Sequence, residues 1–178
     1  NSGPVSAGGG GLVLCDFGSA TSRAQVYKGR KEIVDEEDRI QRYTTLAYRA
    51  PEMVDLYQGK LINEKVDVWA LGVSLYMMAY TKYPFDPDSP LGILSGRYEL
   101  PPQGTSRVYG QGVLGIISAC LTHDCDKRPS VFDVLKLVRS SMDAILFEQD
   151  PFSEELLSAK REQSDWAEFP QEVTLLAA

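Results

Sequence analysis

Apolar and polar positions divide this chain into regions of different character. From residue 44 to about residue 142, apolar residues dominate and recur at helical spacing. That spacing predicts helices over 66–81, 112–121 and 131–144, separated by proline- and glycine-bearing loops such as YPFDPDSPLG and YELPPQG. The first helix, carrying VWALGVSLYMMAY, is apolar nearly all round and belongs at the centre of a domain. Before this region, LVLC at 12–15 has the character of a short strand, preceded by the glycine-rich NSGPVSAGGGG. Residues 19–43 contain KGRKEIVDEEDRIQR and show little apolar periodicity, so they are expected to form an exposed, mobile segment. The last stretch, 147–178, is acidic with isolated aromatics and is expected to behave as a partly disordered tail. No internal repeat is visible.

Composition places limits on this picture. With 178 residues, 43% of them hydrophobic and 24% charged, the chain can form one globular domain with a mostly helical core. A net charge of -7 and the lack of a basic stripe argue against a phosphate-neutralising surface for nucleic acid and favour protein partners. The longest apolar run, 68–80, falls short of the roughly 20 residues that a membrane span needs and follows directly on Asp67. Cys15, Cys120 and Cys125 form no CxxC pair and leave one thiol over however they are joined, which fits a reducing compartment such as the cytoplasm.

Candidate chemistry narrows by elimination. His123 is the sole histidine, so a Ser-His-Asp site could use no other, and it stands in the polar loop CLTHDCDKRP. Cys120, His123 and Cys125 are close in sequence, but no fourth zinc ligand is near and their spacing is not that of a finger or ribbon. What remains is carboxylate and magnesium chemistry. Asp16 ends the strand-like run and is followed by Phe17 and Gly18; a hard oxygen donor beside a flexible glycine suits Mg²⁺ that also binds substrate phosphates.

The order of short motifs makes the stretch specific. After DFG at 16–18 come TTLAYRAPE at 44–52, DVWALG at 67–72, PF at 84–85 and DKRPS at 126–130. In this order and rough separation the chain resembles the C-terminal lobe of the eukaryotic protein kinases. Within them, CDFGSAT, YTTLAYRAPEMVDLY and VDVWALGVSLY are most similar to the numb-associated kinases, the group of the adaptor-associated and cyclin-G-associated kinases. The resemblance covers about 12–138. It implies a protein kinase-like fold, α+β when complete, of which this chain carries the mainly α-helical C-terminal lobe. The expected division is a truncated loop at 1–11, the lobe from the DFG strand to its last helix at 12–146, and the acidic tail at 147–178.

The resemblance also implies roles. Asp16 would hold Mg²⁺ against the ATP phosphates, Phe17 would pack beneath it, Gly18 would let the backbone turn, and Cys15 would line the back of the nucleotide pocket. Residues 19–43 become most of an activation segment. Thr45 matches the threonine that helps position the acceptor hydroxyl in serine/threonine kinases. Glu52 and Arg128 would form a buried ion pair, Asp67 would hold the backbone of the catalytic loop, and Trp69 and Gly72 would pack around it as framework.

Phosphoryl transfer also needs a glycine-rich loop, a strand lysine with its helix glutamate, and the HRD aspartate and asparagine, all of which precede DFG in a kinase. None is in this sequence. The expectation is therefore a partial kinase whose isolated chain is inactive. Its substrates would be serine or threonine residues of proteins, plausibly clathrin-adaptor subunits, and it would act in the cytoplasm or peripherally at endocytic membranes. In the tail, Asp150–Phe152 (DPF) and Trp166–Phe169 (WAEF) have the form of peptides taken up by adaptor appendage domains. The alternative is a non-catalytic pseudokinase or interaction scaffold.

Overall fold

The computed structural model describes residues 15, 17–99 and 111–149, with side chains of the last stretch described from 112 to 142. Six helices follow in order: α1 (Arg30–Tyr43), α2 (Pro51–Val54), α3 (Lys65–Tyr80), α4 (Pro90–Ser95), α5 (Gln111–Cys120) and α6 (Val131–Gln149). Single 3₁₀ turns at Leu46–Tyr48 and Leu56–Gln58 join α1 to α2 and follow α2. The extended segment before α1 meets the loop before α3 in one antiparallel bridge, where the Gln25 and Ile62 amides each donate to the other's carbonyl at 3.0 Å. The fold is that of a protein kinase C-terminal lobe, mainly helical, as its sequence implies.

Helix α3 is central because apolar side chains leave it in several directions, as its all-round apolar sequence requires. Trp69, Val73 and Tyr76 form one core with Phe85, Ile93 of α4, and Ile117 and Leu121 at the end of α5. Trp69 and Phe85 stack with ring centres 5.4 Å apart and planes 7° from parallel. Val68 faces elsewhere and joins Ile116 and Cys120 of α5 and Val134 of α6. Asn63 Oδ1 accepts from the Lys65 amide at the start of α3, while Thr81 ends the helix in the left-handed region at φ 55°. Helix α6 runs to Gln149, beyond the expected end at 144.

Residues 30–43 correct the expectation of an aperiodic exposed segment, because they form α1. Ile33, Glu36 and Ile40 alone turn inward, a stripe at i, i+3 and i+7 too narrow to stand out among eleven other positions, and one of its members is charged. Ile33 and Ile40 pack with Tyr27 and Leu56 in a core of their own. Arg39 neutralises Glu36 through paired bonds from Nε at 3.0 and 2.9 Å. Glu32 in the first turn and Arg42 in the last oppose the helix dipole favourably. Thr44 ends the helix, donating both its amide and its hydroxyl to the Ile40 carbonyl, at 3.0 and 2.6 Å.

Close approach of α3 to α5 depends on Gly72. A Cβ built there would stand 2.7 Å from Cys120 Cβ and 3.0 Å from the Leu121 side chain, both in the buried core. Gly72→Ala is therefore expected to lower stability by about 1–3 kcal/mol through overpacking, outweighing the helix propensity it gains. Urea unfolding of the two chains measures this; an unchanged or raised midpoint would show that α5 moves away freely.

Candidate functional site

The site begins at a turn. Ala20 donates its amide to the Phe17 carbonyl at 3.0 Å, folding the chain over Gly18, and Cys15, Phe17 and Gly18 are all exposed. Asp16, the candidate metal ligand, lies outside the described residues, as do Asp150, Phe152, Trp166 and Phe169 of the tail.

Beyond the turn, a cleft of about 560 Å³ opens between the 19–24 segment, α1 and the start of α3. Ser19, Thr44, Asn63, Glu64 and Asp67 are among its lining residues. On the α1 side its wall is the Tyr27, Glu36 and Arg39 cluster, in which burial first and the Glu36 carboxylate second push the Tyr27 phenol above its ordinary range. The Asp67 amide donates to the Glu64 carbonyl at 3.1 Å, while its carboxylate takes no hydrogen-bond partner among the described residues. Desolvation pushes its carboxyl above the usual range, and the Glu64 charge adds to this. The first turn of α3 thus presents a carboxylate to the cleft with no side-chain partner among the described residues.

Thr45 is exposed and opens the 3₁₀ turn Leu46–Tyr48, its carbonyl accepting from the Tyr48 amide at 3.0 Å. Its neighbours are tightly held. Arg49 donates Nε to Thr44 Oγ1 at 2.7 Å and Nη2 to the Thr44 carbonyl at 2.8 Å, so the chain before Thr45 is tied to the chain after it. Burial holds the Arg49 guanidinium below its ordinary range.

Three residues past Arg49, α2 is clamped at Glu52. Arg128 Nη1 and Nη2 reach the two oxygens of Glu52 at 2.7 and 3.0 Å, with both side chains almost wholly buried. Nη1 also donates to the Lys65 carbonyl at 3.0 Å, Nη2 to that of His123 at 3.4 Å, and Nε to that of Thr122 at 3.0 Å. All five N–H groups of the guanidinium are therefore used. The guanidinium carbon lies 5.1 Å from the centre of the Trp69 ring, adding a cation–π contact. Trp69 and Gly72 pack in the core beneath this clamp. The sequence pattern suggested the Glu52–Arg128 partnership; it could not reveal the three carbonyls, one at the start of α3, 63 residues away, and two in the loop 5 and 6 residues away. The Glu36–Arg39 pair was also missed, although its i,i+3 spacing was readable once a helix is allowed there.

The zinc reading does not assemble. Cys120 is fully buried and burial pushes its thiol to about 11, opposing a thiolate. His123 spends Nε2 on the Leu94 carbonyl at 2.9 Å. Asp124, Cys125 and Asp126 do gather, but Lys60 already reaches both carboxylates, at 3.7 and 3.0 Å.

Residues 6–138 match the protein kinase domain as a family. A probable serine/threonine-protein kinase of Dictyostelium discoideum is 42% identical over 130 residues, 71% of this chain and 11% of the relative. Actin-regulating kinase 1 of Saccharomyces cerevisiae is 38% identical over 125 residues, 70% of this chain and 19% of the relative. Serine/threonine-protein kinase sel-5 of Caenorhabditis elegans is 38% identical over 149 residues, 83% and 13% of the two. This chain spans less than a fifth of the length of each of these relatives.

The raised Asp67 value has a measurable sign. A carboxyl whose folded pKa is raised binds its proton more tightly in the folded chain than in the unfolded one. Stability is then greatest below the ordinary value of 3.8 and falls as pH rises through the raised value. Asp67→Asn is expected to raise the unfolding midpoint of this chain at pH 7 and to give no gain below pH 3.8. Thermal melts across that range test this, and a lower midpoint at pH 7 would mean that the Asp67 charge is already compensated.

Proposed function

This chain belongs to the protein kinase family, and from that premise we propose that it is the C-terminal lobe of a serine/threonine kinase which transfers the γ-phosphoryl group of ATP to protein substrates. The observation carrying the proposal is the arrangement around the cleft. An exposed threonine, Thr45, stands on a segment tied by Arg49 and clamped by Arg128. Beside it the cleft runs from the Phe17–Ala20 turn to the unpartnered Asp67 carboxylate.

In this reading Thr45 orients the acceptor hydroxyl, and rigidity matters because a misplaced acceptor loses much of the advantage of proximity. Asp67 accepts hydrogen bonds from the backbone of a catalytic loop contributed by chain upstream of this sequence, which supplies the partner it lacks here. Such a residue bears a stability cost in this chain that the assembled domain relieves.

Asp16 is the residue to hold Mg²⁺. The fit rests on donor chemistry: a hard carboxylate next to an exposed turn at Gly18 leaves room for the waters that Mg²⁺ retains. The metal neutralises charge on the transferring phosphoryl group when bound with ATP. Phe17 and Cys15, both exposed here, are proposed to pack beneath Asp16 and to border the nucleotide in the complete domain.

Among kinases the motifs CDFGSAT, YTTLAYRAPEMVDLY and VDVWALGVSLY resemble those of the numb-associated group, and that likeness supports clathrin-adaptor subunits as substrates and a cytoplasmic site of action reaching endocytic membranes. No helix among the described residues is long and apolar enough to cross a membrane. Asp150, Phe152, Trp166 and Phe169 are proposed to offer adaptor appendage domains their aromatic anchors.

The test uses the longer native protein with labelled ATP and an adaptor subunit. Phosphate is expected on serine or threonine, and Asp16→Asn is expected to lower turnover by about 10²–10³-fold, the scale of losing one preorganised charge-stabilising group. The isolated 178-residue chain is expected to be inactive. Undiminished transfer by Asp16→Asn would overturn the metal assignment, and an inactive native protein would favour the scaffold reading.

A further inference from the structure

Helix α6 has more apolar surface than the fold covers. Val134 faces the core shared with α3 and α5, and Val138 packs at its edge. At 100° per residue, Val131, Met142, Leu135 and Phe132 occupy the next arc, one sector round from that buried face. They are exposed by 52, 58, 43 and 61% respectively, so the apolar half of the helix is only part buried. Arg139 falls within the same arc, between Leu135 and Phe132; Lys136 borders it, as by its position does Asp143, whose side chain lies outside the described ones. Arg139 has no acidic partner among the described residues, and Lys136 has the exposed Asp133 at 3.2 Å. A contiguous apolar stripe with Arg139 set within it is the form of a surface that receives an apolar segment bearing an acid.

The sequence that continues directly from α6 has that chemistry. The 29 residues at 150–178 carry seven acidic and two basic side chains, with Trp166 and Phe169 each preceded by an acid, Asp165 and Glu168. Geometry permits the return. From residue 149 back to residue 132 is about 26 Å along the helix, whereas the 17 residues from 149 to 166 can span about 55 Å when extended. Covalent attachment supplies an effective concentration in the millimolar range for a short linker.

We propose that the WAEF stretch folds back onto this stripe, Trp166 and Phe169 covering Leu135 and Phe132 while Asp165 and Glu168 meet Arg139 and Lys136. The inference is independent of the kinase reading. It bears on the proposed appendage contact only in that one aromatic pair cannot serve both surfaces at once.

The chain holds two tryptophans, and Trp69 is fully buried, so the acrylamide-quenchable fluorescence of the full 178-residue chain reports Trp166. In the wild-type chain quenching is expected to be severalfold weaker than for free tryptophan amide, and independent of protein concentration. Leu135→Asp and Arg139→Glu, both at exposed positions, are each expected to raise it severalfold, and added salt to raise it in part. Leu91→Asp, on the exposed face of α4, is expected to change nothing. Wild-type quenching equal to that of free tryptophan amide would overturn the proposal and leave the stripe to a separate partner. Protection that disappears on dilution would overturn it in favour of a second copy, and protection indifferent to both α6 variants would place Trp166 elsewhere.

Discussion

One guanidinium joins the parts of this lobe that the chain order keeps apart. Arg128 reaches Glu52 across 76 residues of sequence, and in the same place it satisfies carbonyls at the start of α3 and in the loop after α5. Burying such a charge is unfavourable by several kcal/mol unless every donor is matched, and here every donor is. The net stabilisation of a pair like this is small compared with a hydrophobic replacement, but removing one partner strands the other and costs about 3–5 kcal/mol. Its effect is therefore to enforce one arrangement of α2, α3 and the 122–128 loop. The apolar packing of Trp69, Val73, Ile93 and Ile117 would tolerate small slips that the fork of hydrogen bonds does not.

That constraint extends to the candidate site. Glu52 lies on α2 directly after the 44–50 segment, so clamping it fixes where Thr45 stands, while Arg49 closes the same segment on itself at Thr44. The rigid part of the site thus belongs to this chain. The open part is the cleft, where Asp67 presents an exposed carboxylate without a side-chain partner among the described residues.

Sequence and structure agree where the signal is long or chemically rare. The all-round apolar run around Trp69 could only be a central helix, and α3 is found within one residue of its expected span. Arg128 and Glu52 were recognisable as partners because their motifs occur in a fixed order. Residues 30–43 were not legible as a helix: two isoleucines and a glutamate make the whole inward face, and nothing local announces that Glu36 will be buried with Arg39. The carbonyl ligands of Arg128 were invisible for a different reason, since main-chain groups carry no sequence signature. Asp16 was the most specific residue chemically, and its assignment still rests on motif order and donor type.

The dependence of the lobe on its clamp is tested most directly by a double-mutant cycle of Glu52→Gln and Arg128→Met, read by urea unfolding at pH 7. Each single change is expected to cost about 3–5 kcal/mol, and the double change no more than the larger single one, giving a coupling of about 3 kcal/mol. A coupling below about 1 kcal/mol, the value of an exposed ion pair, would contradict the account and leave apolar packing alone to set the geometry of the site.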